Sequence, residues 1–226
     1  AEYGNPADRR FHAESIACPD CGPTLRFVDP AGRSVRGAAA LPAARAALAA
    51  GRIVAVRGLG GFLLAADAFN GATLRRLRAC KQRPHKPFAV MARDLATVRR
   101  FCDAPSPAAA LLESPAAPIV ILDTRAEAVE AGRLPLDLLT PDARTLGVML
   151  PTTPLHRLLA EPLAGDPTPA FDLLVMTSGN RRGEPIALGN DEARARLAEI
   201  ADAWLLHDRE ITLRNDDSVC VLQGGQ

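Results

Sequence analysis

Aromatic residues are scarce in this chain of 226 residues: one Trp, one Tyr and seven Phe, 4% in all. A core must therefore be assembled from aliphatic side chains, and the stacking platforms on which single-stranded nucleic acids lie are in short supply. Nowhere do eighteen apolar residues run together, and no charged-then-apolar leader is visible, so neither a membrane-spanning helix nor a secretory signal is expected. Net charge is nearly absent as well. The 27 basic and 26 acidic residues leave +1, so no global field steers the protein towards nucleic acid or an acidic membrane, although local basic patches remain open. Cysteine is sparse and odd in number, five in all, which does not read as a disulfide framework. A reduced, cytoplasmic setting is expected. The chain opens on Ala1 and ends on Gly224, Gly225 and Gln226 directly after an apolar run, which reads as a piece of a larger polypeptide.

Two short segments about ninety residues apart carry the most information. Lys81, Arg83 and Lys86 flank Pro84 and precede Pro87. A helix must have ended before these prolines, so the cations are expected on an extended segment able to project towards a ligand. Thr177, Ser178, Gly179 and Asn180 follow the apolar run Leu173, Leu174, Val175 and Met176. That places hydroxyls and a carboxamide at the carboxyl end of a buried strand, where open α/β sheets hold ligands. Charged donors on one side and short polar donors on the other suit a bound polyphosphate. Ser178 can donate to a phosphate, and Asn180 to the nucleotide or, through its carbonyl oxygen, to a magnesium-bound water. Each segment also has a plainer reading. Ser-Gly-Asn is a common turn, and Arg75, Arg76 and Arg78 suit a solvated helix face as well as a basic patch.

The periodicity predicts helices over 41–50, 72–80, 95–101, 155–159 and 192–200. Strands are predicted over 52–57, 62–66, 88–92, 119–122, 146–150, 173–176, 203–206 and 219–222. Gly51 suits the left-handed position that closes the first helix, and the glycines at 58, 60 and 61 suit a hairpin turn. The alternation predicts an α/β (α+β) domain over 37–226, a twisted mixed sheet flanked by helices. Residues 1–36 differ, being polar and irregular, and they carry Cys18 and Cys21 just before Gly22. A two-residue gap followed by glycine forms a zinc knuckle with half a tetrahedral ligand set; a surface loop with two free thiols has the same spacing.

Lys81-x-Arg83 and Ser178-x-Asn180 resemble the K-x-R and S-x-N signatures of the YrdC-like family, and 86–91 and 183–186 continue its pattern. With Glu2, Tyr3, Asn5, Pro6, Arg9, Arg10, Phe11 and His12 leading into Cys18, Cys21 and Pro23, nearly the whole chain resembles the HypF hydrogenase-maturation carbamoyltransferases. The resemblance implies the end of a zinc-finger module over 1–36 and a YrdC-like nucleotide-binding domain over 37–226. It implies ATP, Mg²⁺ and carbamate derived from carbamoyl phosphate as reactants, carbamoyl adenylate and pyrophosphate as products, and transfer of the carbamoyl group to HypE by a separate domain. Lys81 and Arg83 are then the catalytic cations, and Lys86, Thr153, Ser178, Asn180, Arg214 and Ser218 the nucleotide-binding residues. Cys18 and Cys21 are then zinc ligands, in a site left incomplete by the missing upstream pair. Leu63, where relatives often carry histidine, and Arg182, where they carry a small hydroxyl residue, depart from the pattern. His156 reads as a helix residue rather than a base. Two alternatives stand beside this reading: a threonylcarbamoyl-adenylate synthase of tRNA modification, and a non-catalytic module that grips double-stranded RNA through the basic cluster at 75–86.

Overall fold

The computed structural model describes residues 2–8, 11–12, 22–130 and 134–222. In chain order its elements are β1 (Arg26–Val28), β2 (Ser34–Arg36), α1 (Ala40–Ala49), β3 (Val54–Arg57), β4 (Phe62–Asp67), α2 (Gly71–Cys80), β5 (Ala89–Ala92), α3 (Leu95–Phe101) and α4 (Ser106–Leu112). They continue with β6 (Ile119–Asp123), α5 (Ala126–Glu130), α6 (Leu136–Leu139), β7 (Thr145–Met149), α7 (Pro154–Ala160), β8 (Leu173–Ser178), α8 (Asn190–Arg196), β9 (Ala203–Leu206) and β10 (Val219–Val221). All ten strands join one mixed sheet in the order β10-β6-β7-β5-β8-β4-β3-β9-β1-β2. Helices cover both faces, which is the expected architecture: α1 and α7 share a core with Val54, Val56, Leu174 and Met176, while α2, α3 and α4 pack on Ala55, Leu64, Val90 and Val175.

The local causes are legible. Leu41, Ala44 and Leu48 place an apolar stripe of α1 on the sheet, and Gly51 closes the helix at φ +73°, with its N–H donating to Leu48 O and that of Arg52 to Ala47 O. All four residues of β3 are buried, the apolar run Val54, Ala55 and Val56 as in an interior strand and Arg57 with its Nη1 donating to Asn190 Oδ1 and His207 O. β3 and β4 form the predicted hairpin, with Arg57 opposite Phe62 across the glycine turn.

Several features differ from the sequence expectation, among them the short helices α5 and α6, which lie outside the predicted helices. Residues 26–36 supply β1 and β2, and β1 enters the sheet beside β9 with Phe27 and Val28 buried; three-residue strands are too short to show a period of two. Helix α4 begins where prolines read as punctuation, because Pro107 lies in its first turn, where a missing N–H costs nothing. The helix expected over 192–200 instead spans Asn190–Arg196, started by Glu192, whose carboxylate accepts from the N–H groups of Leu188 and Gly189. Cys18 and Cys21 lie outside the described residues.

One buried ion frames the sheet from behind. Arg45 of α1 is 0% exposed, pairs with Asp166 at 2.8 Å, and donates to the carbonyls of Leu159 (2.6 Å), Thr168 (2.9 Å) and Pro169 (3.1 Å). It thereby fixes the loop between α7 and β8, the strand that carries the polar turn.

Candidate functional site

The basic segment begins where α2 ends. Lys81 is the cap residue, Gln82 adopts φ +49°, and the N–H groups of Gln82 and Arg83 return to Ala79 O and Arg78 O. These paired bonds turn the chain sharply with a non-glycine residue in the left-handed region. The chain then runs past Pro84 and Pro87 into β5. Opposite it, β8 delivers Ser178, after which Gly179 approaches β4 closely: its N–H donates to Phe62 O at 2.6 Å.

Lys81 joins the two segments. Its side chain is folded inward, the residue is 5% exposed, and Nζ donates to Ser178 O (2.5 Å), Asn180 O (3.0 Å) and Asn180 Oδ1 (3.1 Å). Among the described residues it has no carboxylate partner. Burial, with Arg83 and Lys86 nearby, lowers its pKa to about 7. Arg83 donates to Thr177 Oγ1 (2.9 Å) and Pro87 O (2.6 Å), lies over the Phe88 ring, and keeps Nε unpartnered among the described residues. Ser178 Oγ donates to Asn180 Oδ1 at 2.8 Å, and Asn180 Nδ2 donates to Glu184 O at 2.6 Å.

Between the segments lies a cavity of about 380 Å³ lined by Lys81, Arg83, His85, Lys86, Ser178, Asn180, Arg181 and Arg182, with Gln82, Pro84 and Gly183. Five of these side chains are lysine or arginine and none is a carboxylate. Lys86 and Arg182 are exposed and form no side-chain hydrogen bond or ion pair among the described residues, so both are free to meet an anion. Arg182, which departs from the family pattern, thus adds a cation to the rim.

Ser178 also lines a second cavity of about 180 Å³, walled by the glycine turn (Gly60, Gly61), Leu63, the 115–117 segment, Thr152, His156 and the 215–218 segment. Its polar groups contrast with the first: Asp216 and Asp217 are acidic, and His156 is uncharged at neutral pH, since burial lowers its pKa to about 4. Thr153, expected on this wall, instead caps α7 by accepting from His156 N at 3.1 Å, and Thr152 lines the cavity, its hydroxyl 3.0 Å from His156 Nδ1. Ser218 lines the second cavity, while Arg214 is exposed and donates from Nε to Ile186 O at 2.9 Å. The structure therefore gathers Lys81, Arg83, Lys86, Ser178 and Asn180 in one cavity and Ser178 and Ser218 in the next. None of the described cysteines, Cys80, Cys102 and Cys220, lines either cavity, and Cys102 is buried with its pKa raised to about 12.

Sequence reasoning did not separate Arg78 from its two neighbours. Arg76 is an exposed helix residue paired with Asp202, whereas Arg78 is 9% exposed and bonded beneath the basic segment. Its place three residues before Lys81, on the face of Leu74 and Leu77, was the available signal.

Gly179 gives a direct test of the close approach. A Cβ there would stand 2.6 Å from Phe62 O and 2.7 Å from Phe62 Cβ, so Gly179→Ala must push the end of β8 off β4. Urea denaturation should show a loss of about 1–3 kcal/mol, typical of overpacking, and pyrophosphate binding should weaken in parallel.

A family model named for Sua5, YciO and YrdC, and described as telomere recombination, matches residues 46–226. A second, the HypF finger, matches residues 1–28. The carbamoyltransferase HypF of Rhodobacter capsulatus is 52% identical over 97% of this chain, and HypF2 of Cupriavidus necator 49% identical, again over 97%. The chain spans 27% and 34% of the lengths of those two relatives. A crystal structure of full-length HypF in a phosphate- and nucleotide-bound form superposes with a TM-score of 0.84 at 42% identity, covering 99% of this chain and 28% of that one. Sua5 of P. abyssi complexed with L-threonine shares the fold at a TM-score of 0.67 and 17% identity, over 80% of this chain and 50% of that one. The chain belongs to the Sua5–YciO–YrdC family, and the HypF finger before that domain and the identity along 97% of its length make it similar to one stretch of the HypF carbamoyltransferases.

Proposed function

We propose that this domain binds ATP through its phosphates in the cationic cavity and forms carbamoyl adenylate from carbamate. The single observation that carries this reading is that cavity, with Lys81, Arg83 and Lys86 facing Ser178 and Asn180, free of carboxylates and sharing Ser178 with a second, less cationic one. A polyphosphate matches the first, and the nucleoside the second. The names of the relatives, carbamoyltransferases, supply the acyl group, and the bound phosphate and nucleotide in a related structure support the ligand class.

A carbamate oxygen attacks the α-phosphorus in line, a new O–P bond forms, and the bond to the β-phosphate oxygen breaks to release pyrophosphate. No covalent protein intermediate is required, so catalysis rests on positioning and charge neutralisation. Arg83 and Lys86 neutralise the phosphates. Lys81 holds the Ser178–Asn180 turn by its carbonyls while adding its charge to the cavity, and the Ser178 hydroxyl, which donates to Asn180 Oδ1 in the empty site, turns to donate to a phosphate oxygen. Magnesium carried on the triphosphate would neutralise part of its charge, and Asp216 and Asp217, on the wall of the adjoining cavity, would be the hard oxygen donors available to it. Arg214 and Ser218, on the same segment, close over the nucleotide.

The finger match supports zinc at Cys18 and Cys21, with further ligands from outside the pair. In the whole protein a separate unit takes the carbamoyl group from the adenylate and delivers it to HypE, in hydrogenase maturation. The free thiols of Cys80, Cys102 and Cys220 suit a reducing, cytoplasmic compartment.

ATP–pyrophosphate exchange decides between the readings. Carbamoyl phosphate with an added acylphosphatase should support exchange, and threonine with bicarbonate should not. Exchange with threonine alone would move the domain to tRNA modification. Exchange with neither, together with retention of double-stranded RNA that Lys81→Ala weakens by only one phosphate contact, would favour the binding module.

A further inference from the structure

Arg78 lines neither cavity, yet three of its hydrogen bonds end on residues that do. Its Nη1 donates to the carbonyls of Arg83 (2.7 Å), Lys86 (3.2 Å) and Pro84 (3.3 Å). The other edge of the guanidinium donates to the last turn of α6, from Nε to Leu138 O (2.7 Å) and from Nη2 to Leu139 O (3.0 Å). Its plane lies over the Phe88 ring, 4.5 Å from the centroid. All five acceptors are backbone carbonyls, and no carboxylate pairs with the guanidinium among the described residues.

We infer that Arg78 is a positioning residue of the anion site: it gathers the carbonyls of the basic segment inward, so that this segment offers the cavity the side chains of Arg83 and Lys86 instead of carbonyl oxygens. A carbonyl turned towards the cavity would repel a phosphate, and each bond to Arg78 holds one away. The flat, five-donor fork reaches the segment and α6 together; a lysine ammonium has three donors on a flexible stem and cannot span both. No acid among the described residues pairs with Arg78, so its charge adds to the field in the cavity. Arg83 registers it: after desolvation, Arg78 is the second cause that lowers the Arg83 pKa. A buried cation without a counter-ion is costly for a fold, and an anion in the adjoining cavity supplies the opposite charge.

This inference rests on reading the first cavity as a polyphosphate site, and its test separates the two. Inorganic pyrophosphate is titrated calorimetrically into the 226-residue chain, Arg78→Lys and Arg76→Lys, and amide hydrogen exchange over 82–88 is followed by mass spectrometry. Arg76 lies on the same helix but pairs with Asp202. The expected result is tenfold to hundredfold weaker binding for Arg78→Lys, faster exchange confined to 82–88 that saturating pyrophosphate reverses, and no change for Arg76→Lys. Binding within twofold of the wild type overturns the inference. If the wild type itself does not bind, the polyphosphate reading fails, and unchanged exchange over 82–88 in Arg78→Lys then also overturns the positioning role. Arg78→Gln serves if Arg78→Lys does not fold; collapse of both variants overturns a role specific to the site, because Arg78 would then support the core at large.

Discussion

Lys81→Met is expected to weaken pyrophosphate binding about a hundredfold and to abolish ATP–pyrophosphate exchange, because each hydrogen bond to a charged group contributes about 1.5–3 kcal/mol and about 1.4 kcal/mol is a factor of ten. The ammonium makes three such bonds to the Ser178–Asn180 turn, so the variant loses both the local charge and the hold on the opposite wall. A pH dependence follows. The pKa of Lys81 stands at about 7 in the empty protein, below its ordinary 10.5, and a bound anion favours the charged form and raises it. Wild-type affinity should therefore fall as pH rises above about 7, and its advantage over Lys81→Met should shrink by up to about tenfold per pH unit. Stability runs the other way. Between about 7 and 10.5 the unfolded chain keeps the proton that the empty folded protein has lost, so the stability of the wild type relative to Lys81→Met rises across that window. Calorimetric titrations and urea melts at a series of pH values measure both effects; an affinity gap that stays constant across the window would assign Lys81 a purely packing role.

Arg45→Ala should destabilise the fold by about 3–5 kcal/mol, the cost of leaving one member of a buried ion pair without its partner. Asp166 would lose the guanidinium 2.8 Å away, and the carbonyls of Leu159, Thr168 and Pro169 would lose a donor. Backbone and side-chain bonds from Thr168, together with Arg45, hold the Asp166 carboxyl below the usual range. Its contribution is therefore present above the unfolded carboxylate pKa of about 3.9 and is lost as pH falls through the lower folded value. Urea denaturation checks the loss, and Asp166→Asn should recover part of it when combined with Arg45→Met, since no lone charge then remains buried. A loss below about 1 kcal/mol in the single variant would show that the loop between α7 and β8 is held by other contacts.

Those two residues differ in how visible they were beforehand. Lys81 stood out because a helix must end before the prolines at 84 and 87, so the cations flanking Pro84 were expected on extended chain. The structure instead keeps Lys81 at the end of α2 as its cap, its N–H still donating to Leu77 O. Arg45 gave no sign: in an alanine-rich helix a lone arginine reads as solvated, and its partner lies 121 residues further on. The same holds for Arg78, read with Arg75 and Arg76 until burial separated it from them. Thr153 illustrates a smaller limit, since a residue before a proline-led helix serves equally as a cap or as a cavity wall, and its backbone geometry made it the cap.

By itself, then, the sequence determined what neighbouring residues dictate: the helix ended by Gly51, the apolar interior strands, the hairpin at the glycine turn, and two polar segments chemically suited to a polyphosphate. Tertiary structure decided what depends on distant partners. It placed three-residue β1 beside β9, set Lys81 against carbonyls 97 and 99 residues away, and buried two arginines that local patterning leaves at the surface. The physical reason is that periodicity records which face of an element is apolar, whereas the partner of a buried charge is chosen by packing between elements.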